Sequence, residues 1–368
     1  MTSRVAIRTR FVILGGYLGA GKTTLATSIA RELRDKQDMS VAIITNDQGN
    51  VLVDTEFVRN AGFDVKDVLG GCFCSNLNEF IKSARSLVQM ERPDIIIAEP
   101  IGTSTNILAS VVVPLRTLYP DEFELAPLLV VLDGTRVSEL LAKSQSFGLG
   151  GGKLIPAHQV HEAEYVLISK ADKMTVEQIE EATRLVKLEV PEAIVISYSS
   201  KSGTNLDRIV DVILSEKVST KSVPKADNRM FATEKSSMGW YNATAILRTT
   251  DPVDLYVLTK SLMNKVSAQF GSEAIAHVKV LVESKAAAVK MSLVMDSIQT
   301  DGIRGGRYLT TDGRLILNAR ISASPQEMKD SFPGIITSAA EEMGIRVDKY
   351  TENCFSPKPE TPSHLMVS

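Results

Sequence analysis

A glycine-rich segment near the N-terminus constrains the fold of this chain more than any other feature. Residues 16–23 read GYLGAGKT and fit the phosphate-binding pattern G-x-x-x-x-G-K-[ST] at every constrained position. The segment follows an apolar run at 11–14 and precedes Leu25, Ile29 and Leu33, which recur every four residues. Strand, glycine loop and helix in this order predict a P-loop, whose backbone N–H groups and helix N-terminus bind phosphate.

Two side chains of this P-loop have expected roles in nucleotide binding. Lys22 is expected to reach the β- and γ-phosphates of a nucleotide, and the Thr23 hydroxyl is expected to bind Mg²⁺. The residues that we expect around the phosphates are Gly16, Gly19, Ala20, Gly21, Lys22, Thr23 and Thr24.

The composition and net charge of the chain indicate which class of protein it belongs to and which kinds of partner it binds. The apolar content of 44% and charged content of 23% are typical of a globular protein. A net charge of −3 gives no electrostatic case for nucleic acid as a partner. No apolar run approaches the roughly 18 residues of a membrane span, and residues 1–10 lack the apolar stretch of a secretory signal. Three cysteines indicate a reducing compartment, so we expect a cytoplasmic protein.

Apolar strands alternate with helical patterns over the first part of the chain, which predicts an α/β fold with a mainly parallel sheet. The predicted strands are 11–14, 41–45, 65–69, 95–98, 128–132, 165–168 and 194–197. We assign residues 1–220 to this P-loop domain and 221–240, rich in Lys, Ser and Pro, to a linker. Strand and helix patterns over 241–356 predict a smaller α+β domain, and the proline-containing tail 357–368 is expected to be disordered.

A base-recognition element is predicted after the strand at 165–168. Ser169-Lys170-Ala171-Asp172 is similar to the [N/T]-K-x-D motif that reads guanine, with serine at the first position. The Asp172 carboxylate would accept hydrogen bonds from N1–H and the exocyclic amine of guanine, a pair of donors that adenine lacks. Lys170 would pack along one face of the base, and the segment 197–203, after the next predicted strand, would contact the other face. Because of Asp172, the sequence favours GTP over ATP.

Three acidic residues are candidates for the catalytic centre. Glu99 ends a buried strand, at the place where P-loop enzymes put the carboxylate that holds Mg²⁺. Asp47 and Asp54 follow the second strand, where a segment that senses the γ-phosphate belongs. Either aspartate is a candidate for binding Mg²⁺-bound water or for orienting the attacking water.

Two of the three cysteines, Cys72 and Cys74, lie beside two glycines between a strand and a helix. Thiolates at a helix N-terminus have lowered pKa values and are good metal ligands. Two cysteines can share one soft metal ion, although a closed tetrahedral site needs four ligands.

These segments together resemble the CobW-like family of P-loop GTPases, which are relatives of the nickel-delivery GTPases of urease and hydrogenase maturation. The matching segments, in family order, are GYLGAGKTT at 16–24, NDQGNVLVD at 46–54, GCFC at 71–74, EPIG at 99–102 and SKAD at 169–172. The C-terminal half is similar to the family's smaller α+β domain. The resemblance implies slow GTP hydrolysis with Mg²⁺, coupled to delivery of zinc, cobalt or nickel to a client metalloprotein.

The chain departs from the family at the metal motif. Family members bind metal at C-x-C-C, and this chain has Ser75 at the last position, where a neutral hydroxyl is a poor zinc ligand. The candidates for completing the site are His158 and His161 or residues of the client.

Two other functions stay open on the sequence. One is a GTPase switch that remodels a corrinoid-dependent or other metalloenzyme partner without carrying metal. The other is a P-loop kinase, against which Asp172 and the cysteine pair argue. A homodimer is one candidate for the state of association.

Overall fold

The computed structural model describes residues 9–46, 53–68, 72–73, 75–142, 154–224, 231 and 234–357. Contacts divide the chain into two compact units. The described residues of Met1–Gln48 and Ala61–Phe231 make the first unit, and those of Gly49–Asn60 and Ala232–Pro359 make the second. The predicted tail lies outside the described residues from 358 onward.

The first unit contains an eight-stranded sheet in the order β3-β2-β4-β1-β6-β7-β8, with the short β5 beside β1. All of its strand pairs are parallel, which confirms the predicted α/β class. The strands are β1 (Thr9–Gly16), β2 (Val41–Asn46), β3 (Asp64–Val68), β4 (Ile95–Glu99), β5 (Phe123–Leu125), β6 (Leu129–Asp133), β7 (Tyr165–Ser169) and β8 (Ile194–Ser197). Because β1 lies between β4 and β6, the P-loop that follows it is at the middle of the carboxyl edge.

Helices cover this sheet, and a local sequence motif explains where one of them begins. Thr175 and Gln178 form a reciprocal capping box at the start of α7. One π-helical turn, Leu108–Val112, leads into α4. The helices of the unit are α1 (Lys22–Gln37), α3 (Leu77–Met90), α4 (Val113–Leu118), α5 (Val137–Ala142), α6 (Leu154–Glu162), α7 (Val176–Glu189) and α8 (Leu206–Leu214). Across the described parts of both units, none of the helices has the length and apolar character to cross a membrane.

The second unit is an antiparallel sheet with helices, in agreement with the predicted α+β class. Its six-stranded sheet has the order β13-β12-β11-β15-β9-β16, and β10 pairs with β14 separately. The strands are β9 (Gly239–Arg248), β10 (Val253–Asp254), β11 (Ile275–Glu283), β12 (Ala287–Val294), β13 (Ser297–Gly305), β14 (Tyr308–Leu309), β15 (Gly313–Ile321) and β16 (Arg346–Phe355). The helices are α2 (Val53–Asn60), α9 (Leu255–Phe270) and α10 (Pro325–Glu341).

The two faces of this sheet differ in chemistry because side chains alternate along each strand. In β11, Val278, Val280 and Val282 join the apolar core that also contains residues of α9 and α10. Lys279 and Leu281 of the same strand take part in contacts with α2. One face is therefore an ordinary core, and the other is a partly polar surface on which α2 packs.

Helix α2 differs from the sequence-based assignment, which placed its residues in the first domain. The Val53 backbone N–H donates to Asn318 Oδ1 at 2.9 Å, and Val53 forms a small apolar cluster with Leu281, Ala288 and Ile316. The helix therefore packs with the second unit although its sequence lies between β2 and β3 of the first.

Asp54 is held within the second unit by two lysines. Its carboxylate accepts hydrogen bonds from Lys279 and from Lys290, the latter at 3.0 Å. Burial alone would raise the pKa of Asp54, but the charges of Lys279 and Lys290 outweigh it and hold that pKa well below its ordinary value. The expectation that Asp54 serves the nucleotide site does not agree with this arrangement, because both carboxylate oxygens bind ammonium groups of the second unit.

We expect Asp54→Asn to lower the free energy of unfolding of the second unit by about 3 kcal/mol, because the buried Lys290 loses the nearer of its two carboxylate partners and keeps only Asp301 at 3.9 Å. Since the folded pKa is depressed, the contribution of Asp54 is present above the unfolded value of about 4 and disappears as the pH falls below it. Denaturant unfolding at several pH values measures both effects. Asp296→Asn, at an exposed aspartate between β12 and β13, is the control. Equal stability of both variants at pH 7 would contradict the prediction.

Candidate functional site

The P-loop connects β1 to α1, as the sequence predicts. Gly21 caps the helix with φ of 95°, a left-handed conformation that favours glycine, and the Leu25 N–H bonds back to its carbonyl. The Ala20 N–H donates to the Tyr17 carbonyl at 3.2 Å, which closes the turn. Gly16 ends β1, and Thr24 lies in the first turn of α1, so all seven expected phosphate-binding residues belong to one loop and one helix start.

Three side chains that were predicted for the phosphate and Mg²⁺ site meet at this loop. The Thr23 hydroxyl donates to Glu99 Oε1 at 3.0 Å, and Lys22 Nζ lies 4.0 Å from the same oxygen. All three residues are buried, with Lys22 only 7% exposed. A hydroxyl beside a carboxylate is a set of hard oxygen ligands that fits Mg²⁺. Asp47, the fourth candidate on the first unit, lies outside the described residues.

The predicted base-recognition element follows β7 and is held by a second loop. The Asp172 carboxylate accepts a hydrogen bond from Ser199 Oγ at 2.6 Å, and the Ala171 N–H donates to the Tyr198 carbonyl. Ser199 Oγ itself accepts from the N–H groups of Lys201 and Ser202, which fixes its orientation. One oxygen of Asp172 therefore binds Ser199, and the other oxygen can accept hydrogen bonds from a base.

Ser169 and Lys170 also have defined partners. Ser169 Oγ donates to the Ala20 carbonyl of the P-loop at 2.8 Å, so this serine ties the base-reading loop to the phosphate-binding loop. Lys170 has φ of 61°, and its Nζ donates to Asp133 Oδ2 at 2.6 Å. Burial, followed by the charge of Lys170, lowers the pKa of the neighbouring Lys173. Serine at the first position of the motif therefore makes a hydrogen bond that joins the two loops.

Cys72 lies beside the loop that follows β4. It is buried, and its Sγ shares a hydrogen bond of 2.9 Å with Ser104 Oγ. Ser75 Oγ donates to the Cys72 carbonyl at 3.1 Å, so its hydroxyl serves the turn before α3. Cys74 lies outside the described residues. Within the described part of the chain, no group of three or more His, Cys, Asp or Glu side chains is arranged to bind a metal ion.

The two histidine candidates have structural partners. His158 Nε2 lies 3.2 Å from Asn106 Oδ1 and 3.6 Å from Glu162 Oε2, and its ring packs on Phe231. His161, on the same helix, lies 3.5 Å from Glu189.

Asp133, Gln159 and Ser199 are polar residues of this region that sequence reasoning did not assign. Asp133 could have been predicted from the sequence, because it ends an apolar strand just as Glu99 does. Ser199 lies in the 197–203 segment, which was expected near the base. No motif or pattern in the sequence predicts the role of Gln159, because it lies far along the chain from the loop that it contacts.

Comparison with known sequences finds related proteins. The profile of the CobW/HypB/UreG nucleotide-binding domain matches residues 10–197, just over half of the 368 residues. Zinc chaperone YeiR of Escherichia coli K12 is 28% identical over 174 residues, which cover 46% of this chain and 48% of YeiR. Zinc chaperone YjiA of the same organism is 33% identical over 72 residues, 20% of this chain and 22% of YjiA. The matches thus span about half or less of these curated relatives.

Comparison with solved structures finds HypB and YjiA among the similar chains. HypB from Helicobacter pylori in complex with nickel is 19% identical, with a TM-score of 0.41 over 56% of this chain and 86% of that one. Zn(II)-bound YjiA GTPase from E. coli is 15% identical, with a TM-score of 0.37 over 89% of this chain and 99% of that one.

Proposed function

Because the chain belongs to the CobW/HypB/UreG family of nucleotide-binding proteins, we propose that it binds and hydrolyses GTP and couples the nucleotide state to handling of a transition metal for a client metalloprotein. One series of two hydrogen bonds carries the proposal. Cys72 Sγ is hydrogen-bonded to Ser104, on the loop that begins at Glu99, and Glu99 is hydrogen-bonded to Thr23 of the P-loop. The thiol and the phosphate-binding loop are therefore linked through a single loop.

The nucleotide step uses the P-loop residues. Backbone N–H groups of the loop and the N-terminus of α1 bind the phosphates, and the Lys22 ammonium group neutralises charge that develops on the transferred phosphoryl group. Thr23 and Glu99 are the residues that would hold Mg²⁺, which neutralises phosphate charge when bound. Asp47 stays a candidate for orienting the attacking water, and Asp54 has no part in this proposal.

Selection of GTP is assigned to Asp172. Ser199 holds one carboxylate oxygen at 2.6 Å, so the side chain is oriented before the base arrives. Guanine offers two donors to this carboxylate, whereas adenine would leave the carboxylate oxygen that faces the base without a donor.

Metal handling is assigned to Cys72 and Cys74, with the metal as cargo. A change in the Glu99 loop on hydrolysis would move Ser104 and so alter the surroundings of the Cys72 thiol. The names of two relatives, which are zinc chaperones, and the nickel complex of a third support zinc or nickel as the cargo, with cobalt also a candidate. The remaining ligands would come from the client, because Ser75 is engaged with the Cys72 carbonyl. We expect this activity in the cytoplasm.

A second candidate is a GTPase switch that acts on a corrinoid-dependent or other metalloenzyme partner without carrying metal. The hydrogen bond from Ser75 to the Cys72 carbonyl favours it, because a serine used in this way leaves two cysteines for a site that needs four ligands.

An equilibrium metal titration separates the two functions. We expect reduced protein to bind Zn²⁺, Co²⁺ or Ni²⁺ with an affinity that differs at least about fivefold between the GTP-analogue and GDP states. Cys72→Ser/Cys74→Ser should abolish this binding. Cys354→Ser, at a partly buried cysteine of the second unit, is the matched control and should bind as the wild type does. If the double variant binds metal as the wild type does in both the GTP-analogue and GDP states, metal handling by the cysteine pair is rejected and the GTPase switch remains.

A further inference from the structure

Helix α6 carries a buried glutamine that holds the loop following β4. Gln159 is only 4% exposed, and its amide nitrogen donates to two backbone carbonyls, to Gly102 at 3.0 Å and to Ser104 at 2.7 Å. A side-chain amide has two N–H donors, so one glutamine satisfies both carbonyls at once. Removal of the amide would leave two buried acceptors unsatisfied.

The neighbouring side chains of α6 hold the continuation of the same segment. His158 contacts Asn106, and Glu162 accepts a hydrogen bond from the Leu108 N–H at 2.8 Å. These contacts anchor the far end of the segment, whereas Gln159 anchors the part nearest to the nucleotide site.

The part of the loop that Gln159 holds fits tightly against the P-loop. A Cβ atom at Gly102 would lie 2.7 Å from the Leu18 side chain and 3.0 Å from the Leu18 backbone nitrogen, so the two loops are in direct contact there. Glu99 begins the same loop and accepts a hydrogen bond from Thr23. A displacement at Gly102 would therefore change the position of the Glu99 carboxylate relative to Thr23.

We propose that Gln159 is a positioning residue for GTP hydrolysis. By holding the carbonyls of Gly102 and Ser104, it sets the distance between the Glu99 carboxylate and the P-loop hydroxyl of Thr23. The inference rests on the proposed GTPase activity but not on metal handling.

The test compares Gln159→Met, which keeps the length of the side chain and removes its donors, with the wild type. We expect kcat for GTP hydrolysis to fall about tenfold to a hundredfold. The Mg²⁺ concentration that gives half-maximal hydrolysis should rise, and GDP affinity without Mg²⁺ should stay within about twofold. Amide hydrogen exchange over residues 100–108 should become at least about tenfold faster.

The control is Gln178→Met, which removes a glutamine from the capping box of the exposed α7 and tests for a general loss of stability. It should leave the Mg²⁺ requirement and the exchange of 100–108 unchanged. If Gln159→Met does not fold, Gln159→Glu, which presents acceptors to the two carbonyls, is expected to show the same defects.

Folded Gln159 variants with wild-type kcat, Mg²⁺ requirement and loop exchange would overturn the inference. If the wild type itself hydrolyses no GTP, the proposed function fails, and the inference is then decided by loop exchange and by the Mg²⁺ dependence of GTP-analogue binding.

Discussion

Replacement of Lys22 by alanine is expected to lower kcat for GTP hydrolysis by at least about 100-fold. The ammonium group is buried at the start of α1, 4.0 Å from Glu99 and 3.4 Å from the Tyr17 carbonyl, so it is held in the loop before nucleotide binds. Charge spreads over the phosphoryl oxygens in the transition state, and a preoriented cation stabilises that charge more than it stabilises bound GTP. Phosphate release under saturating GTP and Mg²⁺ measures the effect.

Lys36→Ala provides the matched control for this variant. Lys36 is on the same helix, but its side chain is 67% exposed and pairs with Glu32 at the surface. Its removal should leave kcat within about twofold of the wild type, since exposed ion pairs contribute little. A Lys22→Ala protein that hydrolyses GTP at nearly the wild-type rate would contradict the assigned role.

Replacement of Asp172 by asparagine is expected to weaken GTP binding by roughly 100-fold or more. Two hydrogen bonds from guanine to a carboxylate are lost or weakened, and hydrogen bonds to a charged group contribute about 1.5–3 kcal/mol each. The asparagine amide can donate where the carboxylate could only accept, so the variant should gain affinity for xanthine nucleotides, which carry a carbonyl in place of the exocyclic amine. Competition against a fluorescent GTP analogue measures GTP, XTP and ATP side by side.

The control for this second variant is Asp211→Asn, at an exposed aspartate of α8. It should bind all three nucleotides as the wild type does. If Asp172→Asn kept its preference for GTP over XTP, the base would have to be read elsewhere.

The sequence predicted the first sheet well because its strands are buried on both faces. Such strands appear as continuous Val, Ile and Leu runs, and all seven predicted strands of the first unit are present with ends that agree within two residues. The edge strands β13 and β16 of the second sheet lack this signal, because many of their side chains are exposed. Residues 297–305, SIQTDGIRG, have neither an apolar run nor regular alternation, so only pairing with β12 defines the strand.

The sequence predicted those parts of the site that are built from local motifs. The P-loop and the 169–172 segment are contiguous in sequence, and their geometry follows from short-range turns and helix starts. Glu99 was assigned from the strand that it ends, because parallel strands bring their carboxyl ends to one edge of the sheet. Ser199 was found only as part of a segment, and its bond to Asp172 needed the structure.

By itself the sequence determined the nucleotide-binding loop, the parallel sheet that carries it and the family to which the chain belongs. Only the tertiary structure decided that Asp54 pairs with lysines of the second unit and that Gln159 holds the Glu99 loop. The residues of the Asp54–Lys290 pair are 236 positions apart, and Gln159 is 57 from Gly102. Contacts over such separations depend on how whole elements pack, which periodicity and motif spacing do not encode.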